Sequence, residues 1–258
     1  MTSAALSLGT VKSGDLLTGW FLQYNASGQV SVSDNLNGAW TRSVAEPFSG
    51  SRGDVALYYL ANAKAGSTTL TITAPAATYL QGTVSEYSGV ATSNPLVTAA
   101  RAKGTGIAAS SGATGSVSAG DLVYGALQTG KAPGSATAGS SQGVPFTTRT
   151  ALANWTDGSE DILSSAAGAQ QATLRLGRST KWFMVGAAFA PATHISGQAL
   201  SASHLSTGPS SFDLLLGILV SVLFSMVLVR RRRMAQGQDL VHGLGWGGGP
   251  VNHRRQPN

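Results

Sequence analysis

The chain has 258 residues, no cysteine, 33 glycines and only 11% charged side chains. The missing cysteines exclude a disulfide framework and thiolate zinc sites, and an apolar share of 42% excludes a disordered chain. The formal charge of +6 is uneven: residues 1–210 carry eleven basic and nine acidic side chains, residues 211–258 six and two. No basic stripe with interleaved aromatics runs through the first 210 residues, so nucleic acid is not an expected partner.

Residues 1–10 (MTSAALSLGT) have neither the basic start nor the apolar run of an export signal, so an exported domain would need a segment upstream. Residues 16–24 (LLTGWFLQY) then predict a strand, bounded by Gly14-Asp15 and Asn25. Residues 29–33 alternate, and Asp34 to Gly38 contain the Asn-Gly pair of a hairpin turn, with 39–43 returning. Further strands are expected at 55–60, 68–73, 78–87, 122–127, 145–150, 172–176 and 182–190. Residues 101–118, rich in Gly, Ala and Ser, read as a connection. Ser13-Gly14-Asp15-Leu16-Leu17 is echoed by Ala119-Gly120-Asp121-Leu122-Val123, which divides the chain into halves at about 13–90 and 119–190. Many short strands with turn signals between them predict an all-β fold, a two-sheet antiparallel sandwich of jelly-roll or Greek-key type. One sandwich built from both halves is expected over two separate ones, because half the strands would enclose a thin core.

Residues 193–211 are small, polar and aperiodic and read as a flexible stalk. Residues 214–229 (LLLGILVSVLFSMVLV) are uncharged, and Arg230, Arg231, Arg232 and Arg233 follow. With Phe212 and Asp213 included, 212–229 predicts a single transmembrane α-helix with a basic stop, and 230–258 a cytoplasmic tail. The lipid bilayer is then a partner, and residues 1–192 are an extracellular or periplasmic domain. Gly217, Ser221 and Ser225 fall four apart on one face of this helix, a spacing that lets two such helices approach as a homodimer.

The segments SGDLL, DNLNGAWTR, LYYLANAKAGSTTLTITA, SEYSGV, AGDLVYGALQ and KWFMVGAAFAPA resemble a β-sandwich module of exported bacterial surface proteins over residues 11–192. Glu86-Tyr87-Ser88-Gly89 is the most specific piece. The resemblance implies that Glu86-Tyr87 closes a core strand, and it places a strand before Leu8 that this sequence does not show. It implies no catalytic activity. The C-terminal layout of Pro209, apolar run and arginine cluster more weakly resembles a PEP-CTERM sorting tail, without the Pro-Glu-Pro triplet and with 25 residues beyond the arginines.

Catalysis needs groups that transfer protons, attack or hold a metal. His194 and His204 both fall in the expected stalk, and no HExxH, Walker or GxSxG motif occurs in a suitable context. No cofactor, metal or catalytic residue is therefore expected. Glu86 is the best-placed acid in a strand, and its context points to structure. Asp157 to Asp161 (DGSED) has oxygen ligands for Ca²⁺ but the spacing of an ordinary solvated turn. Arg52-Gly53-Asp54 spells an adhesion tripeptide in an expected loop. Trp40 and Trp155 lie beside turns and are the candidate carbohydrate contacts, since exposed rings stack on sugars. The functional expectation is a membrane-anchored surface protein whose sandwich serves adhesion, recognition or envelope structure, with a glycan or a surface protein as partner. The alternatives are a carbohydrate-binding module and, third, a carboxylate-dependent hydrolase.

Overall fold

The computed structural model describes residues 2–24, 26–50, 52–151, 156–192 and 199–207, with backbone alone for Ala151 and for 199–207. The chain divides into two compact units, Met1–Gly217 and Ile218–Asn258, and all described residues belong to the first. Every regular element among them is a strand. The first half contains β1 (Ser3–Val11), β2 (Leu16–Tyr24), β3 (Ser31–Asp34), β4 (Gly38–Ala39), β5 (Thr41–Pro47), β6 (Gly53–Leu60), β7 (Gly66–Thr73) and β8 (Tyr79–Tyr87). The second half contains β9 (Leu96–Ser110), β10 (Ser116–Val117), β11 (Leu122–Thr129), β12 (Ala136–Ala138), β13 (Ser140–Ser141), β14 (Val144–Pro145), β15 (Thr147–Ala151), β16 (Asp157–Leu163), β17 (Gly168–Ala169), β18 (Thr173–Phe189) and β19 (Ala199–Thr207).

All pairings are antiparallel, so the all-β expectation stands. One inner sheet runs β19-β8-β2-β6-β5, and the other runs β12-β18-β11-β16-β15 with β9 also paired to β18. An outer sheet, β1-β7-β3-β4, covers the first inner sheet. Three apolar layers result. Leu17, Phe21, Tyr58, Leu70, Ile72 and Leu80 fill the layer within the first half. Val123, Leu127, Ile162, Leu174, Leu176 and Met184 fill the one within the second. Between them, Leu16, Trp20 and Val55 of the first half meet Tyr124, Val185 and Phe189 of the second.

This layering explains the strand compositions. A strand with sheet on both faces must be apolar or hydrogen-bonded at successive positions, rather than alternating. β2 is buried at its first eight positions and β11 at all eight. Gly19 lies in the middle of β2, where a Cβ would overlap the Thr83 carbonyl oxygen and stand 3.1 Å from the Val84 Cα. Gly19→Ala is expected to destabilise the fold by about 1–3 kcal/mol through overpacking. A fall in the urea midpoint at unchanged slope checks this, and an unchanged midpoint contradicts it.

The echo of Gly14-Asp15 at Gly120-Asp121 is a structural repeat. Both glycines take positive φ, 86° and 91°. Gly14 N–H donates to Ala63 and Ala63 N–H to Asp15, just as Gly120 N–H donates to Ser164 and Ser164 N–H to Asp121. Val11 faces Gly66 as Val117 faces Gly168. β5 bulges between Arg42 and Val44 against β6, and β15 between Thr148 and Thr150 against β16.

The structure corrects four readings. β1 spans Ser3–Val11 and pairs with β7, so a strand does precede and include Leu8. The expected connection at 101–118 holds most of β9, the partner of β18. Asp157 to Asp161 is the start of a strand, not a turn. The expected stalk at 193–211 contains β19, which pairs with β8 from Ala199 to Thr207, so the sandwich does not end at residue 192. The reason is common to all four: small or polar residues can fill a strand whose neighbours satisfy its backbone. Among the described residues no helix is long and apolar enough to cross a membrane. The 212–229 segment lies outside them, as does the tail.

Candidate functional site

The Asn-Gly hairpin is built on one carboxylate. Asp34 accepts the N–H groups of Leu36 (2.8 Å) and Asn37 (2.7 Å), while Gly38 takes the positive φ, 84°, that closes the turn. The same carboxylate accepts the Trp40 indole N–H at 2.8 Å. Trp40 is therefore drawn inward, 6% exposed, edge-on to Phe21. A stacking platform needs an open ring face, and Trp40 has none. Trp155 lies outside the described residues, as do Gly217, Ser221, Ser225, Arg230, Arg231, Arg232 and Arg233.

Arg52-Gly53-Asp54 is not a free loop. Gly53 and Asp54 open β6, and Asp54 is 8% exposed. Arg42 forms an ion pair with it, and Gln23 Nε2 donates to it at 3.2 Å. Burial raises the Asp54 carboxyl above its ordinary value, against the opposing charge of Arg42. Burial also pushes the nearby Tyr58 hydroxyl up to about 12. Ala26, Ser27, Gly28, Pro47, Arg52 and Asp54 line a shallow cleft here of about 300 Å³.

The remaining polar groups form a seam inside the shared layer. On β16, Asp157, Ser159 and Asp161 point one way and Glu160 the other, as strand alternation requires. Gln81 Nε2 on β8 donates to Asp157 at 2.5 Å. Asp161 accepts the Tyr87 hydroxyl and is clamped by Arg149, whose Nη2 lies 2.8 Å from Oδ1. Tyr124 buries its hydroxyl in the same layer, edge-on to Tyr87. Burial first, and then the charge of Asp161, hold the Tyr87 and Tyr124 hydroxyls well above their usual range. Burial by itself would lower Arg149, but the hydrogen bonds and charge of Asp161 raise it. The Gln81–Asp157 and Tyr87–Asp161 bonds cross between the two inner sheets and so favour one register and relative placement of them.

Glu160 faces the second-half core with no solvent exposure and accepts the Thr173 N–H at 2.6 Å. Burial drives its carboxyl up to about 8, against the Thr173 and Gly139 N–H groups. Glu86 accepts the Lys12 N–H at 2.7 Å and sits beside Asp15. Burial and the Asp15 carboxyl raise it. Glu86 thus ties the β1–β2 turn to β8, a framework role. Among the described residues no group of three His, Cys, Asp or Glu comes together as metal ligands.

One regularity covers all of these groups. The nine carboxylates of residues 1–210 are Asp15, Asp34, Glu46, Asp54, Glu86, Asp121, Asp157, Glu160 and Asp161, and each is at most 8% exposed. Counting charges could not reveal this, because a sum records sign and not depth. The usable signal is an acid adjoining an aromatic or aliphatic residue in a strand-like segment, as in Glu86-Tyr87 and Asp161-Ile162. Comparison of the chain with known protein families, with curated proteins and with solved structures finds no match in any of the three.

Proposed function

We propose that the chain is a membrane-anchored surface protein that displays this sandwich as a non-catalytic module for recognition, adhesion or envelope structure. The observation that carries the reading is the uncharged run at 214–229 closed by Arg230, Arg231, Arg232 and Arg233, directly after the sandwich. An apolar run of this length with a basic end suits a span oriented with the arginines inside and the domain outside. The carboxylates support the non-catalytic part. A glycosidase needs two carboxyls facing one open site, about 5–9 Å apart. The cleft beside Arg52, among the described residues, is lined by Asp54 alone of the acids, and Arg42 pairs with it.

Membrane fractionation of the natural full-length protein tests the anchor. The expected result is retention in the pellet after alkaline carbonate, and release when 214–229 is deleted. Protease added to intact cells should remove the sandwich and leave the arginine tail. Carbonate extraction of the intact chain, or protection of the sandwich in intact cells, would contradict the proposal.

A further inference from the structure

The depth of the acids has a counterpart on the surface. Nine of the eleven Lys and Arg residues in 1–210 are exposed, and the other two, Arg42 and Arg149, are half-buried in pairs with Asp54 and Asp161. A sandwich that is nearly neutral in sum is cationic over its outside. Ordinary soluble domains intersperse both signs on their surfaces, and a single-sign field steers partners of opposite charge.

The cations are densest where β9 and β18 pair. Lys103 stands opposite Phe183 and Thr105 opposite Lys181, which puts all four on one face of the sheet. Lys103 and Lys181 are then diagonal neighbours, about 7–8 Å apart by sheet geometry. The loop after β11 adds Lys131, because Gly130 N–H donates to the Lys181 carbonyl at 2.8 Å. Arg178 lies against Gly134 of the same loop. Arg101 completes the group two residues from Lys103. The one acid there is Glu46, 3.0 Å from Lys103 and 3.8 Å from Arg101, so five cations face one buried carboxylate. Lysines on an edge strand also deter strand pairing. That purpose needs one or two charges and does not require the acids of the whole domain to be inside.

We infer that the β9–β18 face, with Arg101, Lys103, Lys131, Arg178 and Lys181, binds an acidic polysaccharide. The anionic partner follows from the charge. The sugar follows from what stands among the cations: exposed hydroxyls at Thr105 and Ser179, which suit a chain carrying both carboxylates and hydroxyls. Bases of a single-stranded nucleic acid would need stacking rings. One exposed ring, Tyr24, approaches this face through Phe48 and Phe183, and the Trp182 ring packs on Gly104 from the opposite face, so among the described residues no row of rings is offered to successive bases. These cations stand at the rim of the layer between the inner sheets, beside Phe183 and β5, and offer no helix to enter a groove of a duplex. This inference deepens the reading of the sandwich as a recognition module and names its partner.

The test uses the full chain in a non-ionic detergent, with polygalacturonate, neutral dextran and duplex DNA as probes in a fluorescence binding assay. Polygalacturonate should bind and dextran should not, and affinity should fall steeply with added salt. Lys103→Gln/Lys131→Gln/Lys181→Gln should weaken polygalacturonate at least about tenfold and flatten the salt dependence. Lys12→Gln/Lys64→Gln, away from this face, should change affinity less than about threefold, a control for general charge. Unchanged thermal melting shows that both variants are folded. Equal losses in the two variants, absence of binding, or tighter binding of DNA than of polygalacturonate would overturn the inference. Fractionation reads the anchor and this assay reads the surface, so the two proposals fail separately.

Discussion

Exchanging Arg149 for methionine lowers the stability of the sandwich by about 3 kcal/mol, the lower end expected for breaking a buried ion pair. Asp161 is 5% exposed and has two strong partners, Arg149 and the Tyr87 hydroxyl. Without the guanidinium, a carboxylate remains in the layer between the inner sheets with one neutral donor. The loss stays at the lower end because Arg149 itself keeps 27% exposure, so some water can reach the gap. Urea unfolding of the two proteins at neutral pH measures the difference. The parallel exchange Arg42→Met should cost less, because Asp54 borders an open cleft and retains Gln23 as a donor. A loss below about 1 kcal/mol for Arg149→Met would mean that Asp161 behaves as a surface charge.

Glu160→Gln is expected to remove the largest part of the fall in stability between about pH 4.5 and pH 8. The folded carboxyl titrates at about 8, whereas its ordinary value is 4.5. Between these values the folded chain holds a proton that the unfolded chain has released. Stability contributed by this group is therefore complete below about 4.5 and is lost as pH rises towards 8. The whole swing is at most about 5 kcal/mol. Glutamine can still accept the Thr173 N–H but has no charge to desolvate. Unfolding midpoints at pH 5 and pH 8 decide the matter: the natural chain should lose clearly more stability between them than the variant, which keeps only the smaller losses of Asp54 and Glu86. Parallel losses in both would assign the pH dependence to other groups.

Strands that face sheet on both sides were readable before any coordinates, because LLTGWFLQY and VALYYL leave few other options in water. Their boundaries match β2 and β6 within two residues. β9 was not readable. LVTAARAKGTGIAAS is half-buried or exposed at every position but Ala109 and owes its conformation to hydrogen bonds with β18, more than sixty residues away in the sequence. β16 failed differently. Asp-Gly-Ser-Glu-Asp is turn chemistry locally, and it becomes a strand because Gln81, Tyr87, Arg149 and Thr173 supply partners from other elements. The candidate site shows the same limit. Trp40 beside a turn looked exposed, and a single acceptor six residues earlier, Asp34, turns it into the core. Patterning records what a residue can do with its neighbours in sequence, and buried charges are settled by neighbours in space.

The destinations of β9 and β19 carry one more consequence. β9 leaves the first half after β8 and completes the sheet of the second half beside β18. β19 leaves the second half after β18 and returns to complete the first beside β8. The strand that follows β8 thus joins the second inner sheet and the strand that follows β18 joins the first, the arrangement of a swapped dimer drawn within a single chain. Neither half can be cut out whole, since excision strips a neighbour from β8 or β18 and leaves a bare, extended edge. Two copies of such a fragment could restore the exchange between them. The smallest piece of this protein that closes its own sheets is the pair of halves together, through Thr207.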